Sequence, residues 1–238
     1  VVQIDPKDDA AYVELGDVYM RLQKGQEAFQ SYSRAVSLNP GNLDAQLSLG
    51  RIFLLARKPG EARNKAQLVL EKSPENPEAL RLLAGALIQE KEIDQSIQTL
   101  QSVVGLEPDH LKTRLTLGRL LLAQDRLDEA EDALQKAVSL APDSGPAYVL
   151  LSQVYGKRGA WDQAEAELQR MVEAVPPKYR SLGVLARFYE GRNERDKAEA
   201  AYREAAELAP RDAAVGPWMI LGRFYARGRD YDQALEAM

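Results

Sequence analysis

Four arginines stand inside apolar runs of closely similar sequence: LSLGRIF (47–53), LTLGRLL (115–121), VLARFY (184–189) and ILGRFY (220–225). Arg51, Arg119 and Arg187 are spaced by 68 residues, and Arg223 follows 36 later. A guanidinium offers planar, bidentate hydrogen bonding to a carboxylate, and apolar neighbours lower the dielectric around it, so residues placed in this way suit an acidic ligand. Other reactive chemistry is scarce. The chain has one histidine and no cysteine, which leaves little for acid-base or nucleophilic catalysis. His110, in EPDHL (107–111), occupies a turn slot that elsewhere holds asparagine. The acidic run DEAED (128–132) has helical spacing and a nearby Lys136, so it reads as a solvated helix face. Neither G-x-x-x-x-G-K-[ST] nor G-x-G-x-x-G occurs. The residues therefore predict no enzyme activity, no cofactor and no metal.

The regular return of these arginines requires a repeated scaffold. Pro6, Pro40, Pro74, Pro108, Pro142, Pro176 and Pro210 recur at intervals of 34 residues. Proline lacks the amide hydrogen and disfavours helical geometry in the residue before it, so each marks the end of a helix. The 238 residues are 45% hydrophobic and 28% charged, as in a folded soluble protein, and no segment reaches the roughly 18 apolar residues of a membrane span. A net charge of −5 argues against nucleic acid as a partner. The lack of cysteine is compatible with either cytoplasm or periplasm.

When each unit is numbered so that its proline is position 32, the first runs from Asp9 to Asn42. It then places Tyr12, Leu15, Gly16, Tyr19, Ala28, Tyr32, Ala35 and Pro40 at fixed slots. This pattern resembles the tetratricopeptide repeat (TPR), W-x2-L-G-x2-Y, then A-x3-F, then P, in a 34-residue unit. The resemblance implies an all-α, right-handed superhelical solenoid of helix-turn-helix repeats, each with a helix A and a helix B. On this register residues 1–8 are the tail of a preceding repeat. Repeats then span 9–42, 43–76, 77–110, 111–144, 145–178 and 179–214, with a truncated seventh at 215–238. Both ends fall inside a helix B, which predicts that the parent protein continues in both directions.

Small residues hold position 8 (Gly16, Gly50, Ala84, Gly118, Ser152, Ala186, Gly222) and position 20 (Ala28, Ala62, Ser96, Ala130, Ala164, Ala198, Ala234), where two helices would cross closely. Asp8, Asn42, Asn76 and Ser144 suit capping of the following helix A, and the aspartates at position 18, such as Asp94, suit the start of helix B. Gln46 and Arg114 replace the aromatic residue at position 4, Ala66 the one at position 24, and Val69, Val103 and Met171 replace alanine at position 27, so looser packing is expected there. Pro176-Pro177 and an insertion within RDAAVGPW (211–218) are candidates for altering the angle between units.

The resemblance also implies that helix A residues line a concave groove, with positions 2, 5, 9 and 12 facing it, and that the groove binds extended peptides or partner helices. Here position 5 includes Leu47, Arg81 and Leu115, while position 9 includes Arg51, Arg119, Gln153, Arg187 and Arg223. With Leu54 and Leu122 they describe apolar strips carrying periodic guanidinium groups, a surface for an elongated acidic partner. The competing assignment pairs the arginines with acids of adjacent helices, for example Arg51 with Glu78. The lysine and asparagine clamp for chaperone C-termini is not matched, since Val13 with Asp17 and Leu47 with Arg51 depart in both slots. The functional expectation is a non-catalytic scaffold binding a protein or peptide. The alternatives are an accessory array in a bacterial envelope, secretion or exopolysaccharide-export assembly, where the groove would meet an acidic polysaccharide, and a substrate-selecting array of a larger enzyme.

Overall fold

The computed structural model describes residues 7–210, 213 and 215–237. Among the described residues there are fourteen helices and no strand. The A helices are α1 (Asp9–Arg21), α3 (Leu43–Leu55), α5 (Pro77–Gln89), α7 (Leu111–Ala123), α9 (Gly145–Lys157), α11 (Lys178–Gly191) and α13 (Val215–Arg227). The B helices are α2 (Gly25–Leu38), α4 (Pro59–Lys72), α6 (Ile93–Leu106), α8 (Leu127–Leu140), α10 (Trp161–Ala174), α12 (Arg195–Leu208) and α14 (Tyr231–Glu236). Two compact units divide the chain, one reaching to Thr113 and one starting at Arg114.

Local chemistry sets the helix boundaries. Each B helix from α2 to α12 stops two residues before its proline, as loss of the amide hydrogen requires. Asp8, Asn42 and Asn76 accept from the amides of Ala11, Ala45 and Ala79 at 3.0, 2.9 and 2.9 Å and cap α1, α3 and α5. His110 takes the same role for α7, its Nδ1 accepting from the Thr113 amide at 3.2 Å. Ser144 makes no side-chain cap bond. Pro146 in that first turn leaves one amide hydrogen fewer to satisfy.

The turn from A to B has a geometry that the residue types did not announce. Gln23, Arg57, Lys91, Asp125, Gly159, Asn193 and Arg229 all have positive φ, from 55 to 73°, and all occupy position 15. Six of the seven are not glycine, although the left-handed region costs an L-residue roughly 1–2 kcal/mol. Lys91→Gly is therefore expected to stabilise the protein by about 0.5–1 kcal/mol, the relieved strain exceeding glycine's greater chain entropy. Urea unfolding followed by circular dichroism checks this, and a loss of stability would contradict it.

Within each unit the helices cross on small residues. Ala28, Ala62, Ala130, Ala164 and Ala198 are wholly buried. Ser96, equally buried, donates its hydroxyl to the Ala84 carbonyl of the facing helix at 3.1 Å, so position 20 bonds directly to position 8. A Cβ at Gly16 would run into the Tyr32 ring, which explains why that crossing excludes a side chain. The replacements at positions 4, 24 and 27 are buried, Arg114 among them, and the Gln46 Oε1 has no hydrogen-bond partner among the described residues. Gln46 donates to the Pro40 carbonyl at 2.9 Å, the bond that Tyr148 makes to Pro142 at 3.0 Å. Ala66, Val69, Val103 and Met171 are buried. The Pro176-Pro177 peptide is cis. The expectations for the 211–218 insertion, the 1–8 tail and the chain end rest partly on residues 1–6, 211, 212, 214 and 238, which lie outside the described residues.

At four of the joins between successive repeats one slot recurs, position 21 of helix B against position 11 of the next helix A. In the first unit it holds Phe29 and Phe53, edge to face with ring centroids 6.0 Å apart. In the second unit it holds an acid and a buried phenol three times. Tyr155, Tyr189 and Tyr225 donate to Glu131, Glu165 and Glu199 at 2.7, 2.8 and 2.9 Å. A cation completes each pair: Arg158 on Glu131, Lys197 on Glu165 at 3.2 Å, and Arg203 on Glu199 at 3.0 Å. Burial, and then the neighbouring carboxylate, push all three phenols above their ordinary pKa, so each remains a hydrogen-bond donor.

Candidate functional site

The A-helix register leaves Arg51, Arg119, Arg187 and Arg223 exposed. Their surroundings differ between the two units.

In the first unit, Arg51 and Leu47 line a small cleft of about 220 Å³ with Val13, Asp17, Asp44 and Glu78, contributed by α1, α3 and α5. Three carboxylates face one guanidinium there. Arg51 is ion-paired with Glu78, and Asp17 accepts from the Tyr32 hydroxyl at 2.6 Å. Arg81 is likewise paired, with Glu107. Leu47 is only 3% exposed and belongs to the core, against which Leu54 also packs. The first cleft is thus acidic, and its arginine is already occupied. Both partners of the Arg51 pair are about half exposed, so Arg51→Ala is expected to change stability by no more than about 1 kcal/mol. A larger shift in denaturant midpoint would show the pair to be structural.

In the second unit, Arg187 of α11 and Arg223 of α13 share a cleft of about 760 Å³ that reaches down to Tyr202 and Ala205 of α12. Arg180 and Arg227 also line it, and among the described residues Glu190 is the one acid there, so four guanidinium groups face a single carboxylate. Glu190 is spoken for: it accepts from Tyr202 at 2.8 Å and pairs with Arg227 at 2.7 Å. Burial, then the bond to Glu190, raise the Tyr202 phenol, while Arg227 and Arg187 pull against that shift. Arg180 lies over the Tyr179 ring, 5.7 Å from its centroid. Arg187 and Arg223 have no carboxylate partner among the described residues. Tyr179, Val184, Pro217 and Ile220 supply an apolar wall.

Arg119 and Gln153 are exposed, Leu115 is half-buried and Leu122 is buried. These four, with Arg81 and Leu54, line neither cleft. Sequence reasoning missed Arg180, Glu190, Tyr202 and Arg227. Arg180 and Glu190 sit at positions 2 and 12, two of the groove-facing slots, so reading those columns beside 5 and 9 would have found them. Among the described residues, no group of three or more His, Asp or Glu side chains is placed to hold a metal ion. No described helix is long and apolar enough to cross a membrane.

Comparison with known proteins agrees with this architecture. Residues 2–112 match the TPR domain of cytochrome c-type biogenesis protein H, and 97–151, 121–183 and 179–212 match tetratricopeptide repeat models. No curated protein sequence matches the chain. Among solved structures, a tetratricopeptide repeat protein from Parabacteroides merdae is 16% identical, with 96% of this chain and 90% of that one covered and a TM-score of 0.70. PilF of Pseudomonas aeruginosa is 18% identical over 97% of both chains, with a TM-score of 0.68. YrrB, described as a TPR protein with an unusual peptide-binding site, is 18% identical over 75% of this chain and 92% of its own, with a TM-score of 0.61. The 34-residue register, the small-residue crossings, the paired helices and the matched models all lead to one assignment: the chain belongs to the tetratricopeptide repeat family.

Proposed function

We propose that the protein is a non-catalytic interaction scaffold that binds an extended acidic polypeptide on the exposed faces of its A helices. The observation that carries this reading is the pair Arg187 and Arg223, two guanidinium groups in one cleft without a carboxylate among the described residues. Arginines without a carboxylate partner, set beside apolar side chains, are of the type that anchors interfaces. The fold is shared with YrrB, whose structure is described by its peptide-binding site. The likeness of residues 2–112 to the TPR domain of a biogenesis protein favours a second setting for the same activity, as an accessory array within a larger assembly.

The test is capture from lysate on the immobilised protein, run beside Arg187→Glu/Arg223→Glu and Arg51→Glu variants shown by circular dichroism to be folded. Acidic polypeptides should be retained, displaced by soluble polyglutamate, lost in the double variant and kept in the Arg51 variant. Capture that survives the double variant, or retained material that is glycan, contradicts the reading.

A further inference from the structure

We infer that the cleft between α11 and α13 is a subsite for a peptide segment in which carboxylates alternate with bulky apolar side chains, the carboxylates on Arg187 and Arg223 and the apolar side chain against Val184, Pro217 and Ile220. The inference rests on the scaffold reading above and specifies its ligand. The first support is charge. Among the described residues, four arginines against one glutamate leave the cleft positive, and the glutamate does not serve the two central arginines. Glu190 stands one helical turn from Arg187 on α11, a spacing at which the two could pair, yet it is held by Tyr202 and Arg227. Among the described residues, no carboxylate therefore takes the donors of Arg187 or Arg223.

The second support is shape. Gly183 lies one turn before Arg187 on α11, and Gly216 opens the facing helix α13. A Cβ built at either would meet nothing within 4 Å. These glycines do not relieve a close helix contact, unlike Gly16; they leave space above the cleft floor. Its volume of about 760 Å³ lies within the roughly 300–1,000 Å³ of ligand-binding clefts. The third support is the wall: Ile220, 42% exposed, stands one turn before Arg223 on the same face of α13. A purely acidic chain would leave that apolar surface uncovered, and a purely apolar one would leave the arginines unpaired. The first unit's cleft has none of these features, being smaller and acidic.

Fluorescence anisotropy with short labelled peptides tests this. The probes are an amidated peptide of alternating glutamate and leucine, its glutamate-to-serine and leucine-to-serine counterparts, and the first peptide with a free C-terminus. The alternating peptide should bind, and each serine counterpart should bind at least about tenfold more weakly. Amidation should make little difference, since the recognised carboxylates are side chains; dependence on the free terminus would reassign the site to a chain end. Arg187→Glu/Arg223→Glu should abolish binding. Gly183→Leu should do so as well, by filling the cleft at a helical position where leucine fits and favours the helix, so its fold serves as the control. Equal binding of the serine counterparts overturns the proposed ligand. Acidic peptides that bind and are lost in the double arginine variant but ignore Gly183→Leu overturn the subsite and leave the scaffold reading standing, whereas binding that ignores the double variant, or failure of every acidic peptide to bind, overturns both. Concentration-dependent dimerisation lost in the double variant would give the cleft to a second copy of the chain instead.

Discussion

Leu134→Ala is expected to destabilise the second unit by about 2–5 kcal/mol, the cost of deleting a fully buried leucine and leaving a cavity. Leu134 is wholly excluded from solvent at the crossing of α7 and α8. Its Cγ lies 2.6 Å from where a Cβ on Gly118 would stand, so the leucine fills the space that the glycine opens. Collapse to close the gap is limited, because position 8 and position 20 fix the helix separation. Denaturant unfolding by far-UV circular dichroism measures the loss. Gly118→Ala should recover part of it in the Leu134→Ala background while destabilising the native background, a coupling expected of residues in contact. Equal effects in the two backgrounds would mean that the two positions do not share the space.

Glu131→Ala should cost about 1–3 kcal/mol, because it strips the buried Tyr155 hydroxyl of its acceptor and Arg158 of a partner. The cost should depend on pH. Burial alone would raise the Glu131 carboxyl, but hydrogen bonds from Tyr155 and Arg158 hold it below its ordinary value of 4.5. A folded-state pKa below the unfolded one stabilises the protein above about pH 4.5 and loses that contribution as pH falls through the folded value. The gap between wild type and variant should therefore be full at neutral pH and narrow in acid. A gap that is constant down to pH 3, or that widens there, would contradict the assignment.

What could be read from the sequence follows from how locally each feature is determined. The prolines, the small residues at positions 8 and 20, and the caps Asp8, Asn42 and Asn76 act through steric and hydrogen-bonding rules spanning a few residues, and a 34-residue period makes them visible. The slot joining successive repeats was not visible in this way. Position 21 changes from Phe29 to Arg63 to Glu131, and a glutamate in an amphipathic helix reads as a solvated charge until a phenol from the next repeat is brought onto it. Gln46 illustrates the reverse. It looks like a packing defect, yet it reproduces a hydrogen bond made elsewhere by Tyr148. The arginines lie between these cases. Pairing of Arg51 with Glu78 can be written down from the register, but nothing local indicates that Glu190 turns from Arg187 to Tyr202 and Arg227. That choice is made by the packing of three helices, and it separates an arginine already occupied from two that have no carboxylate among the described residues.

The most direct measurement of this distinction is the Nε–Hε NMR spectrum of the arginine side chains, assigned by single substitutions and recorded while a polyglutamate peptide is added. The account predicts that the Arg187 and Arg223 signals shift together and saturably, while those of Arg51 and Arg81 stay in place because Glu78 and Glu107 already hold them. Shifts at Arg51 with Arg187 and Arg223 unmoved would contradict it.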